Sequence, residues 1–220
     1  MLTKRNQKLR IGVLALQGDF AEHIQALERA DKDVKAFAVR YAHELEAGPE
    51  GLDALVIPGG ESTAIARLVD DGGEPIFSAI KGRIQTGMPV YGTCMGSIFL
   101  AKEIEGSAQG RLAVMDICVR RNAFGPQRKS FESELKIAEL GAEAVPAVFI
   151  RAPLIVSCAP NVQVMARLDE GIVMARQDNM LVTAFHPEIV EDNRVHQYFI
   201  AMVRQFVESG SHCALARSAC

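Results

Sequence analysis

The sequence predicts a three-layer α/β fold, with a mostly parallel central sheet, helices on both faces and a β-rich second half of mixed strand direction. The chain opens as strand, helix and strand at Leu9–Leu16, Asp19–Ala30 and Val34–Val39, which is typical of a parallel unit. After Ala113, short β-rich segments follow one another too closely for parallel crossovers, so they have to pair largely antiparallel. Between the two halves, a glycine-flanked Cys94 stands where a strand turns into a helix.

Composition and charge narrow the class of protein. The chain has 220 residues, of which 49% are hydrophobic, and a net charge of -3, which suits a globular protein with a sizeable core. Proteins that bind nucleic acid through charge are usually strongly basic, so the sequence predicts no such partner. No apolar run reaches the roughly 18 residues of a membrane span. We expect a single domain over residues 1–220, with a basic tail at about 1–8 and a loose tail at about 209–220.

The cysteines indicate a reducing compartment. There are five, an odd number without tight spacing, and the sequence contains no Asn-x-Ser/Thr acceptor. The apolar run after the basic N-terminus is too short for a signal peptide. We therefore predict free thiols and a cytoplasmic protein.

The first half alternates buried strands with amphipathic helices. Asp19 is predicted to cap the first helix, with Glu22 completing a capping-box-like pattern. Leu52–Ile57 is the third strand. Helices are expected at Ala64–Val69 and Pro75–Ile84, separated by a break at Asp70–Gly73.

A glycine loop follows the third strand. Pro58–Thr63 reads Pro-Gly-Gly-Glu-Ser-Thr, which leaves backbone N–H groups exposed where α/β sheets bind ligands. A plain turn is the alternative interpretation from these residues alone. Neither a phosphate-binding P-loop nor a dinucleotide fingerprint is present.

Cys94 lies in the pattern of a nucleophile elbow. The run Pro89–Ser97 reads Pro-Val-Tyr-Gly-Thr-Cys-Met-Gly-Ser, an apolar strand that meets Gly-x-Cys-x-Gly, and a helix is expected from there to about Ile104. Small neighbours allow a tight turn that exposes the nucleophile, and the positive end of the helix stabilises a thiolate. A buried, inert cysteine is the alternative.

The second half is β-rich and closes with a helix. Asp192–Val207 carries apolar residues at helical spacing, and a glycine-bearing loop precedes the strands at Gly106–Gly110. The predicted strands are Ala113–Val119, Ser133–Ile137, Val148–Arg151, Leu154–Val156, Val162–Leu168, Ile172–Arg176 and Leu181–Phe185.

One histidine is placed as a partner for the cysteine. His186 directly follows the last strand, and Glu188 lies two residues on across Pro187, where a carboxylate can fix the tautomer of the imidazole. A simple strand-end turn is the alternative. The remaining histidines are interpreted as surface residues: His23, His43, His196 and His212.

Zinc chemistry is not indicated. His-x-Glu opens the zinc deaminase signature, but no Cys-x-x-Cys follows, and His-Glu-x-x-His is absent. We predict neither a metal nor another cofactor.

The elbow together with His186-Pro187-Glu188 resembles the triad-type (class I) glutamine amidotransferases. Further stretches are similar to the PdxT/SNO family, the glutaminase subunits of pyridoxal 5'-phosphate synthase, and the resemblance extends over about Arg10 to Phe206. These stretches are Leu16–Phe20, Pro58–Thr63, Arg121–Gly125 and Val148–Pro153.

The resemblance implies a class I glutamine amidotransferase-like fold and the hydrolysis of L-glutamine to glutamate and ammonia. It implies that the partner in a large hetero-oligomer is a barrel-fold synthase subunit, which joins the ammonia to a pentose phosphate and a triose phosphate. Cys94 is then the nucleophile, with His186 and Glu188 completing the triad. The backbone N–H groups of Gly60 and Met95 are the expected oxyanion donors. The expected glutamine-binding residues are Gly60, Glu61, Ser62, Arg121, Ile150 and Arg151.

Two residues depart from the family pattern. Met95 stands where alanine is expected, and Pro126 where a basic residue is usual. Two alternatives remain open: a glutaminase subunit of another pathway, such as histidine biosynthesis, and a catalytically silent scaffold subunit, which Met95 beside the nucleophile favours.

Overall fold

The computed structural model describes residues 8–46, 51–61, 67, 75–125 and 130–209. The predicted helix at Ala64–Val69, the break at Asp70–Gly73 and both expected tails lie outside this part of the chain, apart from Arg67, Lys8 and Ser209. Ser62 and Pro126 lie outside it as well.

The first half contains the parallel strands and helices that its pattern predicts. β1 and β2 pair in parallel, and β1 also pairs in parallel with β3. A short 3-10 turn at Ala42–Leu45 was not predicted. The elements are β1 (Leu9–Leu14), α1 (Phe20–Ala30), β2 (Val34–Val39), β3 (Ala54–Ile57), α2 (Pro75–Gln85), β4 (Val90–Thr93) and α3 (Met95–Leu100).

The helix after Cys94 is shorter than predicted, and the extension to Ile104 was wrong. It ends at Leu100, because Ala101 adopts an extended conformation with ψ of 140°. Ala101–Ile104 instead forms β5, which pairs in parallel with β6 (Met115–Arg120). The apolar run Ile98–Ala101 suits a buried helix and a buried strand equally well, so periodicity alone does not separate the two.

The second half consists of the predicted short strands. They pair mainly antiparallel, but β12 returns to the centre of the large sheet and lies parallel to β4. Two further 3-10 turns occur at Ala138–Leu140 and Pro187–Ile189. The elements are β7 (Ser130–Leu135), β8 (Val145–Ile150), β9 (Leu154–Cys158), β10 (Gln163–Leu168), β11 (Gly171–Gln177), β12 (Met180–Thr183) and α4 (Arg194–Glu208).

Within the described residues, ten strands form one sheet in the order β2-β1-β3-β4-β12-β11-β9-β6-β5, with β10 paired to β11. β7 and β8 form a separate two-stranded sheet. Five neighbouring strands, from β2 to β12, run parallel, so their carboxyl ends meet at one edge. This edge carries the loops that the sequence marks for chemistry.

The large sheet is covered on both faces, as predicted. Successive residues of β4 enter different apolar clusters, Val90 on one face and Tyr91 on the other. Leu27 of α1 and Phe199 of α4 belong to the Tyr91 cluster, whereas Phe77 of α2 belongs to the Val90 cluster. Alternation along buried strands therefore produces three layers.

Candidate active site

Cys94 lies at a strained turn between β4 and α3. Its backbone has φ of 46° and ψ of -104°, a region that residues with a side chain rarely adopt. The elbow needs small neighbours, since a Cβ added to Gly96 would lie 2.1 Å from the carbonyl oxygen of Ile57. The Cys94 N–H donates to the Thr183 carbonyl over 2.8 Å, which ties the elbow to the end of β12. The sequence prediction of an elbow at this position agrees with this geometry.

His186 is held between Cys94 and Glu188. Its Nδ1 lies 2.6 Å from Oε1 of Glu188, and its side chain is close enough to that of Cys94 for the two to interact electrostatically. The His186 N–H donates to the carbonyl of Val148 in β8 over 2.8 Å, so the small sheet also fixes this segment. The structure thus brings together the three side chains that the sequence pairs.

The electrostatics favour a protonated imidazole beside the thiol. Burial lowers the pKa of His186, but the hydrogen bonds and charges of Cys94 and Glu188 outweigh it and raise that pKa to about 10. Burial raises the pKa of Glu188, but its interactions with His23 and His186 outweigh this effect, so the pKa is lowered. The site therefore places a proton donor directly beside the sulfur of Cys94, as nucleophilic catalysis by a cysteine requires.

Asp19 does not cap α1 through its side chain, so the predicted capping box was wrong. No side-chain cap hydrogen bond is formed, and Oδ2 of Asp19 lies 3.6 Å from Nδ1 of His186 instead. The carboxylate turns toward the imidazole because opposite charges attract there. Asp19, His186 and Glu188 place ligand atoms within 4.8 Å of one another, as a metal site would. Since Nδ1 of His186 already bonds Glu188, we keep the prediction that no metal is used.

The glycine loop after β3 packs against the site. A Cβ added to Gly59 would lie 2.5 Å from Cε1 of His186, so only glycine leaves room for the ring. The exposed Gly60 has φ of 145°, and the N–H of Glu61 donates to Oε1 of Gln17 over 2.9 Å. Gln17 therefore connects this loop to the loop after β1.

The residues expected around glutamine lie on neighbouring turns. The carbonyl oxygen of Ile150 is 3.9 Å from Sγ of Cys94, and Arg151 follows with φ of 45°. The N–H of Ala123 donates to the carbonyl of Ala152, so the turn that begins at Arg121 lies beside Arg151. Arg121 itself donates to Oε1 of Gln109 over 2.7 Å. Ser62 lies outside the described residues.

The side chain of Met95 is directed into the core. It is 2% exposed and belongs to the apolar cluster that contains Ile57 and Ile98. Its backbone N–H is the first of α3 and has no partner within the helix. The larger side chain is therefore compatible with the oxyanion role predicted for that N–H.

Two histidines interpreted as surface residues are buried, so that interpretation was wrong. His23 and His196 are both 0% exposed and lie beneath the site. His23 is three residues from Phe20 and four from Leu27, on the apolar face of α1, and His196 is three residues before Phe199. The same helical spacing that predicted the apolar stripes could have found both residues.

Comparison with known proteins agrees with the fold. A crystal structure described as a glutamine amidotransferase is 45% identical and superimposes with a TM-score of 0.79, covering 88% of this chain and 98% of its own. Another structure described as a glutamine amidotransferase, from Thermotoga maritima, is 14% identical and shares the fold with a TM-score of 0.58, covering 92% of this chain and 86% of its own. The fold and the cysteine site define the class of protein as a glutamine amidotransferase.

Within that class, the chain belongs to the SNO glutamine amidotransferase family, whose sequence model matches residues 13–205. Its relatives include pyridoxal 5'-phosphate synthase subunit PdxT of Carboxydothermus hydrogenoformans, 52% identical over 89% of this chain and 98% of the relative. The protein of the same name from Desulforamulus reducens is 50% identical over 88% of this chain and 99% of the relative.

Two further observations concern the cysteines and the helices of the described residues. Cys94, Cys118 and Cys158 are free thiols, as predicted, whereas Cys213 and Cys220 lie outside the described residues. No helix in the described ranges is long and apolar enough to cross a membrane.

Proposed function

We propose that the chain is the glutaminase subunit of a pyridoxal 5'-phosphate synthase. It hydrolyses L-glutamine to L-glutamate and ammonia with Cys94 as the nucleophile, His186 as the proton carrier and Glu188 as the group that orients His186. The observation that carries this proposal is the alignment of a strained cysteine, an imidazole and a buried carboxylate at the meeting point of two parallel strands.

The first half-reaction forms a thioester. The Cys94 thiolate attacks the side-chain carboxamide carbon of glutamine, and the carbonyl oxygen becomes an oxyanion that accepts from the N–H groups of Gly60 and Met95. His186 gives its proton to the nitrogen as the C–N bond breaks, so ammonia leaves and a neutral imidazole remains. The site supports this order, because the His186 ring is held by Glu188 and its raised pKa makes it a proton donor at the start of the reaction.

The second half-reaction releases glutamate. Neutral His186 takes a proton from water, and the resulting hydroxide attacks the thioester carbon under the same two N–H donors. Collapse of the tetrahedral intermediate breaks the C–S bond, which regenerates the thiolate beside the imidazolium. Glu188 stabilises the imidazolium in both halves through Nδ1 and stays ionised.

Recognition of glutamine is assigned to the turns around Cys94. The glycine loop contributes Gly60, Glu61 and Ser62, while Arg121 and Arg151 supply positive charge for the α-carboxylate. Ile150 presents both its carbonyl oxygen and a side chain that is 40% exposed, an apolar surface beside the nucleophile.

The destination of the ammonia is proposed from the relatives. Their names describe a subunit of pyridoxal 5'-phosphate synthase, which favours this pathway over histidine biosynthesis. We propose that the partner is a barrel-fold synthase subunit, in a large cytoplasmic hetero-oligomer that combines the ammonia with a pentose phosphate and a triose phosphate.

The test mixes the chain and L-glutamine with the synthase subunit. Glutamate release is then followed over time. We expect release by the wild type and at least a thousandfold less by Cys94→Ala, because the nucleophile is lost. Equal rates for the two proteins would overturn the proposal. No release by the wild type in the assembled complex would instead favour a silent scaffold.

A further inference from the structure

A chain of buried polar side chains lies beneath the triad. Nδ1 of His23 is 3.3 Å from Nε2 of His196, and Nε2 of His23 is 3.0 Å from Oγ1 of Thr93 and 3.3 Å from Oε2 of Glu188. The four side chains come from α1, α4, the end of β4 and the turn after β12, and all are buried. Two neighbouring imidazoles in a core are costly unless their polar atoms form hydrogen bonds.

The direction of the hydrogen bonds follows from one unsatisfied atom. Nδ1 of His196 has no hydrogen-bond partner among the described residues. A proton on that atom would leave a buried N–H without an acceptor and would make Nε2 of His196 the acceptor from His23. Nε2 of His23 would then turn a lone pair toward the carboxylate oxygen of Glu188, which is repulsive.

The opposite assignment satisfies the chain. With the proton of His196 on Nε2, this group donates to Nδ1 of His23, and the Nε2–H of His23 faces Thr93 and Glu188. Nδ1 of His196 then keeps an unpaired lone pair, which costs less than a buried N–H without an acceptor. In the described part of the chain, Oε2 of Glu188 has no aligned hydrogen bond, and its polar contact is with His23.

We propose that His23 is a positioning residue for the glutaminase reaction: its Nε2–H holds Oε2 of Glu188, so that Oε1 remains on Nδ1 of His186. His196 acts one step further away, because it fixes the tautomer of His23. The inference rests on the proposed function, since it assigns His23 to the reaction of Cys94.

A neutral donor suits this role better than a cation. A protonated His23 would compete with His186 for the charge of Glu188 and weaken the support of the imidazolium beside Cys94. Burial lowers the pKa of His23, although Glu188 opposes this, and burial with the neighbouring His23 lowers the pKa of His196 to about 3. Both rings are therefore neutral at pH 7.

The titratable groups around His23 lie on all sides of its ring. They are contributed by several elements, and the ring of Tyr91 from β4 meets His23 edge-on at a centroid distance of 6.2 Å. The groups are Asp19 before α1, Glu22 in α1, His186 and Glu188 after β12, and His196 in α4.

The kinetic test compares two substitutions of similar size in the full complex. His23→Leu removes the donor, and we expect kcat for glutamate release to fall about 10- to 100-fold with KM unchanged, because Glu188 loses its orientation. His23→Gln keeps an amide donor and should recover most of kcat. The matched controls His43→Leu and His43→Gln alter an exposed histidine and should leave kcat unchanged.

An NMR titration of His186 separates positioning from a general loss of structure. We expect the pKa of His186 to fall in His23→Leu and to stay near the wild-type value in His23→Gln. A folded His23→Leu protein with wild-type kcat and an unchanged His186 titration would overturn the proposal. Glutamine hydrolysis that fails in the wild-type complex would instead refute the proposed function.

The unmodified protein provides a second measurement. Nitrogen NMR of the histidine rings should find His23 neutral at pH 7 with its proton on Nε2. An Nδ1–H tautomer or an imidazolium at His23 would contradict the proposal even if every substituted protein failed to fold.

Discussion

The N–H of Cys94 donates to the carbonyl oxygen of Thr183 over 2.8 Å, although the two residues are 89 positions apart. This bond continues the parallel register in which Thr93 of β4 lies opposite Thr183 of β12. Three residues beyond Thr183, the chain presents His186 to the thiol of Cys94. The alignment of nucleophile and imidazole is therefore a consequence of strand register.

Gly59→Ala should impair catalysis without unfolding the protein. The added methyl group would lie 2.5 Å from Cε1 of His186 and has to displace the ring. We expect kcat for glutamate release to fall about 10- to 100-fold, since an error of about 1 Å in a catalytic group has an effect of this size.

Gly82→Ala is the matched control for that substitution. Gly82 lies inside α2, and a Cβ there meets nothing within 4 Å among the described residues. We expect unchanged kcat and a free energy of unfolding higher by about 0.5–1 kcal/mol, because alanine favours a helix interior. Equal kcat values for the two variants would refute the steric argument at Gly59.

Glu188→Gln should lower the pKa of His186 and reduce kcat by about 100-fold or more, since the imidazolium loses its carboxylate partner. An NMR titration of the His186 ring and the rate of glutamate release measure the two effects. Glu132→Gln, in an exposed position of β7, is the control and should change neither.

The raised pKa of His186 predicts how this residue affects the stability of the fold at alkaline pH. Its pKa is raised from 6.5 to about 10 in the folded protein. The stabilisation from its protonated ring is therefore complete below about pH 6.5 and lost as the pH rises toward 10. Urea unfolding at pH 6.5 and 10 should show a smaller alkaline loss in Glu188→Gln than in the wild type. An equal decrease in the free energy of unfolding in the two proteins would contradict the assignment of the raised pKa to the pairing of His186 with Glu188.

Asp116 should contribute to acid stability. Its carboxylate accepts from Asn161 and Lys102 and also from Gln177, and these hydrogen bonds lower its pKa to about 2. The folded-state pKa lies below the unfolded value of 3.8, so the stabilisation is present above about pH 4 and lost as the pH falls through 2. Asp116→Asn should show a flatter fall of the unfolding free energy between pH 4 and 2. Asn161→Ala should show an intermediate slope.

Arg194 should stabilise the fold without affecting chemistry. Its guanidinium donates to the carbonyls of Glu143 and Ala144 over 2.8 and 2.7 Å and pairs with Asp192. Because the side chain is only 27% exposed, we expect Arg194→Ala to lower the free energy of unfolding by about 1–3 kcal/mol with kcat unchanged. Arg167→Ala, at an exposed position, should stay within about 0.5 kcal/mol of the wild type. A decrease in the free energy of unfolding of Arg194→Ala that is no larger than about 0.5 kcal/mol would contradict the prediction.

Short sequence patterns predicted much of the candidate active site. Gly-x-Cys-x-Gly predicted the elbow because a tight strand-to-helix turn requires small neighbours at fixed offsets. His186 and Glu188 were paired correctly because they are close in the chain and the backbone between them is stiff. By contrast, the expectation that Asp19 caps α1 considered only its own helix, and the carboxylate instead faces the imidazole of His186.

The sequence by itself determined the parallel opening, the elbow at Cys94 and the pairing of His186 with Glu188, because each depends on residues a few positions apart. Only the tertiary structure decided that Ala101–Ile104 pairs as a strand, and that His23 and His196 meet beneath Glu188. Those outcomes depend on strands and helices that are distant in the chain. The burial of a histidine is set by the element that packs over it, which no local pattern contains.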